Sequence, residues 1–338
     1  MTTLLTTPLT KKRLTKILSG LTLLLLLAVV AALYWGGPLD FRQAWVNAAS
    51  PDHDILFYSR LPRVLLGLIV GFALSSGGVA FQSLLRNPMA DPYILGVSGG
   101  AALGSVVAVS FGLAFTYVSS LAFISALLSL LLIYGIARTQ GRLPVYTLLL
   151  TGVIFNAFSF SLIMFLNSLV SFEQAHRIWY LMVGSLEAES YGKIAMVGGF
   201  VLVGFLLLFF HAGKMNLMAM GDATAQHLGL DVEKFRRRIF FAASLMIGAV
   251  VSLSGLIGFV GLFIPHMVRL RFGSDHRLLL PAAALFGAAF LVIADLIART
   301  ALSNAAYQTQ LPVGVITALI GGPYFVYLLK KPGSRGTW

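Results

Sequence analysis

Ten apolar runs of about membrane length follow one another along this chain, and they decide what it can fold into. They cover residues 17–35, 61–81, 94–113, 118–137, 146–170, 191–211, 239–256, 257–270, 278–299 and 312–329. About 20 apolar residues cross a bilayer as a helix. Within lipid every backbone N–H and C=O must be paired inside the segment, so such runs are helical. The expected fold class is therefore an all-α polytopic membrane protein with about ten transmembrane helices. It would form a single transmembrane domain over residues 1–338, with 17–329 crossing the membrane. Residues 17–35 could be the apolar core of a signal peptide, but the run is long for that and more spans follow, so it reads as a retained first helix. Composition agrees: 58% of residues are hydrophobic and 11% are charged, against about 25% charged in a soluble domain.

The basic residues set the expected orientation. The formal net charge is +12, which would suit nucleic acid if the cations were clustered. Instead they lie between apolar spans, the pattern of membrane topology, so no nucleic-acid partner is expected. With both termini inside, 18 of the 24 Lys and Arg fall in cytoplasmic segments. Arg42, Arg60, Arg63, Arg177, Lys193 and Arg299 are the exceptions. The chain has no cysteine, which excludes disulfides, thiolate catalysis and Cys-ligated metals.

Within this frame a few stretches depart from plain apolar character. Asn87-Pro88 and Asp91-Pro92 are two helix-stopping dipeptides in one tight connection. Gly96, Gly100 and Gly104 form a small-residue stripe at spacing four, a packing face between helices. They are not read as a phosphate loop, because no G-x-x-x-x-G-K sequence occurs in the chain. Span five carries Asn156, Ser159, Ser161 and Asn167, and polar residues inside a span face other helices or a water-filled path. Residues 171–190 form an outside segment, with a short interfacial helix expected at 177–184. The eighth span is short and contains Pro265.

The longest polar island in the second half is 213–238, GKMNLMAMGDATAQHLGLDVEKFRRR. Ala223, Ala225, Leu228 and Leu230 alternate with polar residues there, as in a short amphipathic helix ending at Gly229. An ordinary positive-inside loop is the plainer alternative. Arg60, Arg63 and Arg299 fall at outer ends of spans. They would suit either an acidic docking partner, through bidentate pairs with carboxylates, or lipid headgroups. Asp295 and Arg299 stand at i, i+4 on one helix face, and a proton-relay role for Asp295 is the sharper alternative. His266 lacks a second histidine at i+4 or a nearby acid, so no metal site is expected. No catalytic triad or carboxylate pair is legible, so no catalytic residue is assigned and no cofactor is expected.

At this point several motifs resemble a known family. They are RLPRVLLGLIVGFALSSGGVAFQSLLRNPMADPYILGVSGGAALG (60–104), GDATAQHLG (221–229), SGLIGFVGLFIPHMVRL (254–270), DHRLLLP (275–281), ADLIAR (294–299) and LPVGVITALIGGPYFVYLL (311–329). In this order they resemble the FecCD-type, or type II, ABC importer permeases for ferric siderophores, haem and cobalamin. The resemblance implies ten helices, a dimer with a central path, two cytoplasmic ATPase subunits, a periplasmic binding protein and a place in the inner membrane. It implies that Gly221, Asp222, Ala225, Leu228 and Gly229 belong to an ATPase-coupling helix, with Asp222 where the family usually has Glu. It implies that Arg60, Arg63 and Arg299 meet glutamates of the binding protein. It makes Asn156, Ser159 and Asn167 candidates for the path. Gln310 stands where the family usually has Glu. A proton-coupled secondary transporter built on Asp295 is the rival reading, and an embedded enzyme is a third.

Overall fold

A computed structural model describes residues 10–36, 39–301 and 310–330 of the chain. The basic tail residues Lys331 and Arg335, and most of the expected loop 300–311, lie outside the described residues. In order the helices are α1 (Lys11–Tyr34), α2 (Phe41–Val46), α3 (Pro51–Asp54), α4 (Leu61–Leu85), α5 (Val97–Ser110), α6 (Phe115–Ala137), α7 (Val145–Leu169) and α8 (Phe172–Val183). They continue with α9 (Tyr191–Phe210), α10 (Ala212–Ala219), α11 (Asp222–His227), α12 (Val232–Ser254), α13 (Val260–Phe272), α14 (His276–Thr300) and α15 (Val313–Lys330). Among the described residues no strand forms.

Seven helical segments are long and apolar enough to cross a membrane, and Val97–Ser110 and Val313–Tyr327 are shorter apolar helices. With α13 they account for the ten spans expected. Their ends follow local rules. Thr10, Ser171, Asp231 and Asp275 accept backbone N–H groups at the starts of α1, α8, α12 and α14, pairing donors that the helix leaves open. Ser171 and Gln174 form a capping box, which starts the interfacial helix at Phe172 rather than near 177.

Two span starts shift. The third span begins at Val97, because Gly96 adopts φ +87° after a 3-10 turn over Pro92–Leu95. Its 14 residues reach only about 21 Å. The seventh begins at Val232 rather than 239, since Asp231 caps it there. The island at 213–238 holds the short helix expected to end at Gly229 as α11, with α10 before it and the first turns of α12 after it, separated at Gly221 and Gly229, both with positive φ.

The core sits around α4, α12 and α14, whose spans are mostly buried, while α1, α6, α7 and α9 leave broad apolar faces outward. Close packing comes from small residues, as expected where helices associate without a hydrophobic driving force between them. A Cβ at Gly71 would meet the Gly287 carbonyl and Leu291 of α14, and one at Gly78 would meet the backbone of Gly261 in α13. The stripe read from the sequence behaves in the same way. Cβ atoms at Gly100 and Gly104 would collide with Ser129 and Ser125 of α6.

Candidate functional site

Helix α11 has six residues, too few to be stable alone, so its neighbours hold it. Ala225 is its one buried residue. Beyond it the backbone closes in a Schellman arrangement: Leu230 N–H donates to the Ala225 carbonyl and Gly229 N–H to the Gln226 carbonyl. The turn needs φ +83° at Gly229, a conformation glycine adopts without strain. Leu230 and Ala225, buried together, supply the apolar contact that accompanies this cap. The rest of the segment faces outward, with Leu228 56% exposed.

Asp222 is the first residue of α11, where a negative charge suits the helix dipole. Its carboxylate pairs with Arg236 of α12 and lies 3.6 Å from Arg86. Arg86 caps the end of α4 in the left-handed region. Arg236, nearly enclosed, also pairs with Glu233 at 3.3 Å, and Glu233 accepts the Leu143 N–H at 2.8 Å in the turn before α7. One polar chain therefore ties α11 to the end of α4, the start of α12 and the α6–α7 turn. Beside it, Asn216 of α10 donates to Asp275 at 2.8 Å and accepts the His276 N–H at 2.9 Å. That bond fixes α10 to the start of α14.

The opposite end of the bundle holds a second ionic cluster. Asp295 of α14 accepts from Arg63 of α4 through Nε at 3.0 Å and Nη2 at 2.8 Å, and lies 3.1 Å from Arg299 Nε. The pair Asp295–Arg299 matches the i, i+4 reading; Arg63, from a distant helix, was not legible. Arg63 also donates to Gln310 Oε1 at 2.6 Å, which gives that position a concrete partner. Arg60 donates to the Leu33 carbonyl at 2.9 Å and Arg299 to the Ala32 carbonyl at 3.2 Å. These carbonyls belong to the last turn of α1, where helical partners run out and cations are favoured.

The three arginines expected as an outward ring are thus turned inward. Arg60 is buried, and the Arg63 and Arg299 side chains are 13% and 9% exposed. They tie α1, α4 and α14 together. The proton-relay alternative asks for a carboxylate that trades protons with water, whereas Asp295 has a side chain only 3% exposed and sits between two guanidinium groups. The geometry favours a structural role.

The candidate path residues share one face of α7, the one turned into the chain rather than outward. Asn156 donates to the Tyr93 carbonyl at 2.8 Å, supporting the broken backbone that leads into α5. Ser159 is fully enclosed. Asn167 is half-buried, its Oδ1 without a hydrogen-bond partner. Among the described residues no group of three His, Asp or Glu is placed to hold a metal ion.

With this geometry in view, comparisons with known proteins agree. A family model for the FecCD transport family matches residues 20–331. The chain is 37% identical over 320 residues to the hemin transport system permease protein HmuU of Yersinia pestis, covering 92% of this chain and 94% of the relative. It is 42% identical over 277 residues to the cobalamin import system permease protein BtuC of Halobacterium salinarum, covering 82% and 73%. It is 40% identical over 313 residues to the ABC transporter permease protein YvrB of Bacillus subtilis, covering 88% and 87%. An inward-facing structure described as a metal-chelate type ABC transporter superposes with a TM-score of 0.81 at 29% identity, over 94% of this chain and 99% of the other. Long apolar helices, a short tethered helix in a polar island and these matches lead to one conclusion: this chain belongs to the FecCD transport family, the type II ABC importer permeases.

Proposed function

We propose that the chain is the permease subunit of an ATP-driven importer that moves a metal chelate across the inner membrane. A periplasmic binding protein delivers the chelate, two copies of a separate ATPase supply the energy, and a second permease copy completes the path. Relatives named for hemin and cobalamin support the chelate class. The single observation that carries the coupling role is α11: it buries only Ala225, exposes Leu228, and is tied through Asp222 to α4 and α12. Gly221, Asp222, Ala225, Leu228 and Gly229 form the unit that seats in the ATPase.

The mechanism follows from these ties. ATP closes the two ATPase subunits and displaces α11. The Asp222 pairs pass that displacement to the end of α4 and the start of α12. Because α4 packs against α14 through Gly71 and Gly287, the motion reaches the Asp295 cluster at the far end, where the binding protein would dock near Arg60, Arg63 and Arg299. The energy input is the different affinity of ATP for the two arrangements. Both chain termini lie on the cytoplasmic side, and the outward apolar faces of α1, α6, α7 and α9 meet lipid or the second copy. Asn156, Ser159 and Asn167 join the path only once the second copy or an opened state exposes them.

Co-purification of the tagged chain in detergent tests the reading. The expected result is a stoichiometric ATPase partner whose ATP turnover rises with loaded binding protein. A lone permease that transports in liposomes on a proton gradient would overturn it in favour of a secondary transporter.

A further inference from the structure

A groove of about 700 Å³ opens between α6, α9 and α12 at the end of the bundle that holds the polar island. Its size falls within the ~300–1,000 Å³ typical of sites for organic ligands. Leu127 and Leu131 of α6, Leu207 of α9 and Phe241 and Leu245 of α12 make its walls. Arg237 and Arg238, with His211, form its polar end. The groove therefore descends α12 from two cations to wholly apolar walls.

Both arginines are exposed, and among the described residues no ion pair joins either to an acid. The nearest acids are already engaged. Asp231 pairs with Lys234 at 2.9 Å, and the Lys234 backbone N–H and ammonium hold its carboxyl below the usual range. Glu233 serves Arg236 and Leu143. Arg237 also borders a smaller depression of about 250 Å³, where Arg138, Arg142 and Lys234 stand with Asp231 and Glu233, so cations outnumber acids beyond the rim.

We propose that this groove binds an anionic phospholipid, with an acyl chain along the leucines and the phosphate between Arg237 and Arg238. Charge complementarity and depth select this occupant. Cations placed directly before a membrane span attract anionic headgroups, and Leu131 and Leu207 present apolar surface that is half exposed without an occupant. An acidic protein segment would answer the arginines but leave backbone polar groups unpaired against leucine walls.

The test uses the purified chain in detergent, titrated with phosphatidylglycerol or phosphatidylcholine of matched acyl chains and read by native mass spectrometry. At the magnitude known for a juxtamembrane cation, two arginines predict roughly thirtyfold tighter binding of phosphatidylglycerol. The exposed double variant Arg237→Gln/Arg238→Gln loses most of that preference, and Leu131→Trp weakens both lipids. Equal binding of the two lipids, a preference that survives the double variant, or inorganic phosphate binding as tightly as the lipid would each overturn the proposal. Because the chain has no cysteine, Leu131→Cys reports a rival occupant. A disulfide between two copies at that position would assign the groove to a protein interface instead. These readouts concern binding alone and stand apart from ATPase coupling.

Discussion

The two ends of the bundle each hold one carboxylate between two arginines, yet the surroundings give the two clusters different work. Asp295 lies between Arg63 and Arg299, with all three side chains nearly enclosed. Asp222 lies between Arg86 and Arg236, with its own side chain 35% exposed and that of Arg86 43% exposed. Inside the fold, ions are costly to leave unpaired, so the first cluster acts as a rivet between α4 and α14. Near water the Asp222–Arg86 pair is weak and can rearrange, while Arg236, 7% exposed, stays enclosed; such a one-sided pairing suits the joint proposed for α11. Identical chemistry thus gives an enclosed clamp at one end and, at the other, a pairing that is open to water on the Arg86 side.

The largest expected effect tests the clamp. Asp295→Ala strands two buried guanidinium groups and should cost about 3–5 kcal/mol, seen as loss of folded protein in detergent thermal-shift and gel-filtration assays. The double variant Arg63→Met/Asp295→Leu should recover part of that loss, because it removes one of the two stranded charges and leaves only Arg299 without its carboxylate. If Asp295→Ala were as stable as the parent, the clamp reading would fail. Next comes the seat of α11. Ala225→Phe overfills a fully buried position and should cost about 1–3 kcal/mol, while abolishing the ATPase stimulation that loaded binding protein produces.

The joint itself should show the reverse balance. Asp222→Asn is expected to change stability by only about 0.2–1 kcal/mol but to uncouple ATP turnover from uptake in proteoliposomes. Uptake in step with turnover would erase the functional contrast between the two ends. The smallest effect is Gln310→Glu, which restores a carboxylate beside Arg63. It should raise stability slightly, by about 1 kcal/mol at most, the difference between a neutral and a charged partner for one guanidinium bond, read as a small upward shift of the thermal midpoint. A fall in stability would mean that the cluster has no room for a second acid.

Much of this architecture was legible in the chain. Ten apolar runs became seven long and three short helices because length and apolarity leave a bilayer segment no choice but the helix. The stripe Gly96, Gly100 and Gly104 was readable as a contact face because glycine removes the side chain that would hold helices apart. Asp295–Arg299 was readable because i, i+4 neighbours must share a face. The start of α12 was missed because Asp231 caps the helix while the residues after it look like loop. The short helix ending at Gly229 was readable because glycine closes a helix in the left-handed region, whereas α10 went unread because no side-chain cap marks its start.

By itself, then, the sequence determined the material: helices that cross a membrane, small residues where they touch, a polar island with a short helix closed by Gly229, and arginines at span ends. Tertiary structure alone decided which charges meet. Arg63 reaches Asp295 from another helix, Arg86 and Arg236 converge on Asp222, and Arg60 and Arg299 close the end of α1. The physical reason is range: propensity and periodicity act over a few residues, whereas an ion pair forms wherever packing brings two side chains within about 4 Å, however far apart they lie along the chain.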